Sequence, residues 1–118
     1  MKKYNVLKEN SDFQQIITKS NFKKDRNIVL YYRKNNLGHY RFGISVGKKI
    51  GNAVTRNYYK RILRNIVDHN KKLCSNDKDY IIIIKKNCLC ATYDQIEKSF
   101  QNLIINSNKG EKNEEKEL

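Results

Sequence analysis

A continuous apolar run in the last third of the chain limits its fold more than any other stretch. Residues 80–84 are Tyr-Ile-Ile-Ile-Ile, with no charged or amide side chain among them. A strand with one solvated face alternates apolar and polar residues, whereas an unbroken run suits a strand buried on both faces. Such a strand must lie in a sheet that is covered on each side. The simplest packing is therefore one mixed sheet covered by helices.

Two further strands are predicted upstream of this run. Residues 27–34 are rich in β-branched and aromatic side chains, and residues 40–46 alternate cleanly. Residues 35–38 form a turn signal, because Asn and Gly tolerate a positive φ. Since the turn is short, the two strands are expected to form an antiparallel hairpin, and the basic stretch 21–26 is interpreted as a connector. One face of the hairpin, left open to close approach by Gly43, is predicted to carry Tyr31, Arg33, Arg41 and Ser45.

Apolar residues at helical spacing predict three helices. The first spans about residues 12–19, the second about 52–73, and the third about 92–106. Capping-box patterns are present at the start of the first helix, in Ser11 and Gln14, and of the third helix, in Thr92 and Gln95. The resulting element order is α-β-β-α-β-α, which places the chain in the α+β class as a single small domain.

The stretch 48–64 contains six basic residues and no acidic one. Asn52 is a helix-start signal, because its side chain can accept from the free N–H groups of a first turn. On a helix, Tyr59, Ile62, Leu63 and Ile66 gather on one side. The other side carries Asn57, Lys60, Arg61 and Arg64, with Arg56 near the border. Solvated faces usually mix both signs, so the missing acidic residues favour phosphate binding over a merely solvated face.

The net charge also indicates a polyanionic partner. The chain carries +13 at pH 7, and nucleic acid is the commonest polyanion. A membrane surface is the competing partner, but no apolar run approaches the roughly 20 residues that span a bilayer. No secretory signal follows Met1, so a cytoplasmic location is expected. The domain is expected to cover residues 1–108, and the charged tail, residues 109–118, is expected to be disordered.

Nothing in the sequence indicates a catalytic centre built from protein side chains. Cys88 and Cys90 are separated by one residue, which does not match the common zinc spacings, and Cys74 makes the count odd. Reduced thiols are therefore expected. His39 and His69 have no obvious nucleophile or carboxylate partner, and no Gly-rich phosphate loop or paired-carboxylate pattern is present. Neither catalytic residues nor metal ligands are predicted on the protein.

A second nucleic-acid surface is predicted where the first helix would pack on the sheet. Phe13, Ile17 and Tyr31 could then line a groove, with Arg33 and Arg41 at its edge. Rings among cations suit single-stranded nucleic acid, because bases stack at about 1–3 kcal/mol each while cations hold the phosphates. The alternative is that Phe13 and Ile17 belong only to the core.

Two adjacent stretches resemble a known family. Residues 53–64, Ala-Val-Thr-Arg-Asn-Tyr-Tyr-Lys-Arg-Ile-Leu-Arg, resemble the arginine–asparagine–arginine motif of the bacterial ribonuclease P protein component, and residues 41–49 resemble the strand that leads into it. The resemblance covers about residues 8–105. It implies a fold like domain 2 of ribosomal protein S5. There the long helix joins two parallel neighbouring strands by a left-handed crossover, an exception to the usual handedness.

The resemblance also implies a function, as part of a ribonucleoprotein endonuclease that removes the 5′ leader from precursor tRNA. In that family the RNA subunit is the catalyst and uses divalent metal ions such as Mg²⁺. The implied partners are the ribonuclease P RNA and precursor tRNA, with no membrane, and the protein is expected to be monomeric outside the holoenzyme. The residues implied to bind the catalytic RNA are Lys48, Lys49, Arg56, Asn57, Lys60, Arg61 and Arg64. Those implied to bind the leader are Phe13, Ile17, Tyr31, Arg33, Arg41 and Ser45.

Departures from the family pattern and two alternative functions accompany this hypothesis. Ile17 stands where an aromatic residue is frequent, Tyr59 where an aliphatic residue is usual, and Gly47 where Ser is common.

A structural RNA-binding module, such as a small ribosomal protein, would bind RNA without assisting cleavage. A duplex-DNA binder could place the basic helix in a major groove, although the helix lacks a helix-turn-helix partner just before it.

Overall fold

The structure is a computed structural model and describes residues 5–7 and 10–117. The helices are α1 (Asn10–Lys19), α2 (Ala53–His69) and α3 (Tyr93–Glu117). The strands are β1 (Asn21–Lys24), β2 (Ile28–Lys34), β3 (Arg41–Ser45) and β4 (Lys78–Ile84). Short 3-10 turns cover Lys48–Ile50, Lys71–Leu73 and Lys86–Cys90.

β4 lies inside a single sheet whose strand order is β1-β2-β4-β3. It pairs antiparallel with β2 and parallel with β3, so that Ile81 lies between Tyr31 and Gly43. The predicted mixed sheet is confirmed, but the predicted hairpin of β2 and β3 is wrong. The most apolar strand takes an interior position because only there are both faces covered and both edges hydrogen-bonded. As the resemblance implies, α2 connects the parallel neighbours β3 and β4; the handedness of this crossover stays a prediction.

An additional strand, β1, occupies the stretch that was interpreted as a connector. It pairs antiparallel with β2 across a turn at residues 25–27. Asp25 Oδ1 accepts hydrogen bonds from the backbone N–H groups of Asn27 at 2.8 Å and Ile28 at 3.0 Å, which closes the turn. The element order is therefore α-β-β-β-α-β-α rather than α-β-β-α-β-α. The local sequence gives only a weak signal for β1, because Phe22 is the one residue of this strand with a strong strand preference.

Helices cover both faces of the sheet. On one face α2 and α3 pack over alternate side chains of β2, β3 and β4, among them Leu30, Tyr32, Phe42, Tyr80 and Ile82. On the other face a smaller cluster forms around Ile81, which packs with Ile16 of α1 and with Leu7. β4 contributes to both clusters, as its unbroken apolar run predicts.

Two of the three predicted capping patterns form, whereas α1 begins at Asn10, so that Ser11 already lies inside the helix and is not its N-cap. At the start of α2, Asn52 Oδ1 accepts from the backbone N–H of Thr55 at 3.0 Å. At the start of α3, Thr92 Oγ1 accepts from the N–H of Gln95 at 3.2 Å, and Gln95 Oε1 accepts from the N–H of Thr92 at 2.9 Å. These bonds satisfy donors that a first helical turn leaves open. The basic helix is therefore anchored at the predicted residue.

Two helix ends differ from the prediction. α2 ends at His69 rather than near residue 73, and the 3-10 turn Lys71–Leu73 follows it. α3 continues to Glu117, past the predicted end near residue 106, so residues 109–117 are helical where the sequence predicts a disordered tail. Extending an existing helix needs no new nucleus, and the added Glu and Lys residues are good helix formers. Leu118 lies outside the described residues.

Among the helices that the structure describes, none is both long enough and apolar enough to cross a bilayer.

Candidate nucleic-acid interface

On the side of the sheet that faces α1, directly paired residues of neighbouring strands form rows that run across the strands. Paired residues lie in one row because they point to the same face of the sheet. The first row contains Arg33, Asp79 and Arg41. The second contains Phe22, Tyr31, Ile81 and Gly43. The third contains Lys24, Val29, Ile83 and Ser45. The predicted leader-binding residues of β2 and β3 thus share one face, although their strands are not neighbours.

Phe13 of α1 lies directly over the backbone of Gly43. A Cβ atom on Gly43 would lie 2.3 Å from Phe13 Cζ, far inside contact distance. Glycine therefore allows the close approach that the sequence predicted at this position. Phe13, Ile17 and Tyr31 pack on the Ile81 cluster, and all three are only partly buried. They contribute to the core and at the same time leave part of their surface exposed.

A buried carboxylate links the two arginines of the first row. Asp79, which is fully buried, accepts from Arg41 Nε at 2.8 Å and Nη2 at 2.7 Å. It also accepts from Arg33 Nε at 3.1 Å and Asn35 Nδ2 at 2.7 Å. Burial raises the pKa of Asp79, but the hydrogen bonds from Arg41, Asn35 and Arg33 and the charge of Arg41 outweigh it, so the pKa is lowered. The carboxylate is ionised at neutral pH, and the row keeps a surplus of positive charge.

Three residues of this face were missed by the sequence-based prediction. The half-exposed ring of Phe22 lies 5.6 Å from that of Tyr31, centroid to centroid, and Lys24 is exposed on the same side of β1. The alternation of Phe22 and Lys24 before a turn signal could have revealed β1. Asp79 could have been found from its position at the start of a buried strand, because a buried carboxylate needs cationic partners.

α2 has the two-sided arrangement that its sequence predicts. Its apolar side is buried and comprises Tyr59, Ile62, Leu63, Ile66 and Val67. On the other side Asn57, Arg61 and Arg64 are exposed, while Arg56 and Lys60 are partly exposed. The Nε of Arg56 is buried without a hydrogen-bond partner in the part of the chain that the structure describes. The rest of the Arg56 side chain is partly exposed at the border of the basic side.

The parallel pairing of β3 and β4 enlarges this basic surface. Both strands end at the same edge of the sheet, where the turn Lys48–Ile50 contacts the turn Lys86–Cys90. Lys48, Lys49 and Lys86 are all exposed. Lys86 was not predicted, because only the strand pairing brings the two turns together.

The described residues contain no group of three or more His, Cys, Asp or Glu side chains that could hold a metal ion. The oxygen atoms of Asp79 already accept from Arg33, Arg41 and Asn35. Burial raises the pKa of Cys74 to about 12 and that of Cys88 to about 11, so both thiols are protonated at neutral pH. The described part of the candidate surfaces presents charged groups, hydrogen-bond donors and aromatic rings.

These surfaces define a class of protein: a small α+β protein with one sheet face of rings and cations and one basic helix, features typical of nucleic-acid-binding proteins. Comparison with known proteins identifies the family within this class. The chain belongs to the ribonuclease P protein family, since the family model described as Ribonuclease P matches residues 1–107.

Several relatives support this membership. The ribonuclease P protein component of Mesoplasma florum is 42% identical over 106 residues, which cover 89% of this chain and 96% of that relative. The chain also matches the solved RNase P protein of Staphylococcus aureus, with 37% identity, a TM-score of 0.76, and coverage of 85% of this chain and 92% of that chain. The RNase P protein of Thermotoga maritima has 27% identity and a TM-score of 0.78, with coverage of 85% and 94% respectively.

Membership confirms the resemblance carried by residues 41–64. The chain functions as the protein subunit of ribonuclease P, a ribonucleoprotein of tRNA processing, and its partner is an RNA subunit. The comparisons support this function and not that of a ribosomal protein.

Proposed function

We propose that the chain assists its RNA subunit in the endonucleolytic removal of the 5′ leader from precursor tRNA. In this proposal the RNA subunit hydrolyses the phosphodiester with divalent metal ions such as Mg²⁺, and the protein supplies no general acid or base. The observation that supports it best is the Arg33–Asp79–Arg41 row beside the partly exposed rings of Phe13 and Tyr31. A single-stranded leader needs both rings and cations.

The side of the sheet that faces α1 is the proposed leader site. Phe13, Tyr31 and Phe22 offer ring surface to the bases, while Ile17 offers only apolar contact. Arg33 and Arg41, in the first row, offer guanidinium groups to the phosphates. Ser45, in the third row, adds a hydroxyl group on the same face. Because Asp79 holds both arginines in place, little side-chain freedom is lost when a phosphate binds.

The exposed side of α2 and the turn before it form the proposed site for the catalytic RNA. It comprises Lys48, Lys49, Arg56, Asn57, Lys60, Arg61 and Arg64, and Lys86 extends it. Each cation that neutralises a phosphate releases condensed counterions, so the affinity should fall steeply with salt.

Occupation of both sites would place the protein between two RNA molecules. Its net charge of +13 would then reduce the repulsion between their phosphates. Contacts to the leader would favour precursor tRNA over mature tRNA, because only the precursor carries that segment. The protein is proposed to be cytoplasmic and monomeric outside the holoenzyme. Its three free cysteines agree with a reducing compartment.

Reconstitution tests the proposal. The purified chain is added to a folded bacterial ribonuclease P RNA at low magnesium concentration, with the RNA alone and the protein alone as controls. Cleavage of precursor tRNA is expected only when both are present. Binding without cleavage would favour a purely structural RNA-binding role. Cleavage by the protein alone would contradict the assignment of the chemistry to RNA.

A further inference from the structure

We propose that Tyr58 and Arg61 form a stacking platform on α2 that takes one unpaired base of an RNA. The platform adjoins the cations of the proposed catalytic-RNA site. It rests on the proposed function in one respect, namely that the catalytic RNA is the ligand of α2.

The ring of Tyr58 extends from α2 into solvent, whereas the adjacent ring of Tyr59 is buried. Tyr58 is 49% exposed and Tyr59 is 9% exposed. The two rings meet edge to face, with centroids 5.3 Å apart and planes at 78°. The guanidinium carbon of Arg61 lies 5.8 Å from the centroid of the Tyr58 ring. Contacts on two sides restrict the ring, which lowers the entropy lost when a base stacks on it.

The surroundings of Tyr58 favour a nucleic acid over an apolar partner. Val54, four residues earlier and 78% exposed, extends the apolar surface by one helical turn. Residues 48–67 contain no acidic side chain. A membrane interior or an apolar protein surface would have to remove the nearby cations from water without pairing them. An RNA pairs the cations with phosphates while a base covers the ring.

The platform suits an unpaired nucleotide. Bases inside a duplex are already stacked on both faces, so the ring can be met only by a looped, bulged or terminal base. Stacking on an aromatic ring accepts any of the four bases. α2 would therefore combine a stacking contact that depends little on salt with phosphate contacts that depend on it strongly.

Binding measurements with folded ribonuclease P RNA separate these two contributions. Tyr58→Leu should weaken the affinity roughly 5- to 150-fold. The slope of log affinity against log salt should not change. Tyr58→Phe retains the ring and should bind like the wild type. Leu37→Ala is the matched control, because Leu37 is 50% exposed but lies in the β2–β3 connection, and its affinity should not change.

Tryptophan fluorescence gives a second measurement. The chain contains no tryptophan, so Tyr58→Trp introduces a single indole group at the platform. Its emission should be quenched when the catalytic RNA is added, whereas the emission of Leu37→Trp should not be. Thermal unfolding of each variant checks the fold, and if Tyr58→Leu does not fold, the tryptophan variant decides the question.

Three results would overturn the platform. The first two are a wild-type affinity for the RNA in Tyr58→Leu and an emission that the RNA does not quench in Tyr58→Trp. The third is a decrease in the slope of log affinity against log salt that is as large in Tyr58→Leu as in Arg61→Ala, which removes a cation. Any of them, with normal binding by the wild type, would leave the proposed function intact. A wild-type chain that does not bind the catalytic RNA would contradict the proposed function and the platform together.

Discussion

Asp79 accepts two hydrogen bonds from the guanidinium group of Arg41, with Nε 2.8 Å from Oδ1 and Nη2 2.7 Å from Oδ2. Such a bidentate pair is stronger and more directional than a single bond. Arg33 adds a bond from β2, at 3.1 Å. One buried carboxylate therefore links three strands and orients the two cations that are proposed to hold the leader.

Replacing Asp79 with Asn should destabilise the protein by about 2–4 kcal/mol, because two guanidinium groups lose their anion. Urea unfolding measures the change. Asp77→Asn is a suitable control, because Asp77 is an exposed carboxylate near the same end of β4. Its free energy of unfolding should change by no more than about 0.5 kcal/mol. Equal losses in the two variants would contradict the structural role of Asp79.

The same carboxylate should make the stability depend on pH in acid. Folding lowers the pKa of Asp79 below its ordinary value of 3.8, since its hydrogen bonds outweigh the effect of burial. Its contribution is complete above the unfolded-state pKa and is lost as the pH falls through the folded-state pKa. The free energy of unfolding should therefore decrease below about pH 5, and less so in Asp79→Asn. Parallel pH profiles for the two proteins would show that another group is responsible.

Gly43→Ala should displace the ring of Phe13, because the new Cβ would lie 2.3 Å from Phe13 Cζ. We expect a loss of about 1–3 kcal/mol in the free energy of unfolding. Gly47→Ala is the control, since a Cβ there would meet no atom within 4 Å. Phe13→Leu should recover part of the loss caused by Gly43→Ala, as a double-mutant cycle can measure. Additive effects would argue against direct contact between the two positions.

Phe22→Ala should weaken the binding of leader-bearing tRNA by the holoenzyme, by roughly fivefold or more, without changing the affinity for mature tRNA. The ring is 49% exposed, so its removal takes away stacking surface with little loss to the core. Phe13→Ala and Tyr31→Ala should act in the same direction, but with some loss of stability. Equal weakening for both tRNAs would indicate that these rings serve the fold and not the leader.

Arg56→Ala and Arg64→Ala should each lower the affinity for the catalytic RNA and reduce the log–log salt slope by up to about one unit. Each variant removes a cation that is proposed to neutralise a phosphate. Lys72→Ala provides the comparison, because Lys72 is exposed near Asp77 and Lys78, at the end of the sheet where β4 begins. A slope that stays at the wild-type value in all three variants would count against direct phosphate contact by α2.

Much of the architecture could be predicted because it depends on neighbours in sequence. The unbroken run in β4 predicted a strand covered on both faces, and the spacing of Tyr59, Ile62, Leu63 and Ile66 predicted the buried side of α2. The caps at Asn52 and Thr92 form as expected, because each involves groups within three residues. The cations of α2 therefore lie on the exposed side that the sequence predicted.

The sequence by itself determined which side chains share a face, because helical and strand periods are local properties. Only the tertiary structure decided which strands are neighbours. β4 lies between β2 and β3, because the most apolar strand is buried inside the sheet. No local sequence pattern predicts this strand order. Three contacts follow from that placement: Asp79 with both arginines, Phe13 with Gly43, and the two basic turns with each other. They join residues that are distant in the chain, so they exist only once the sheet has formed.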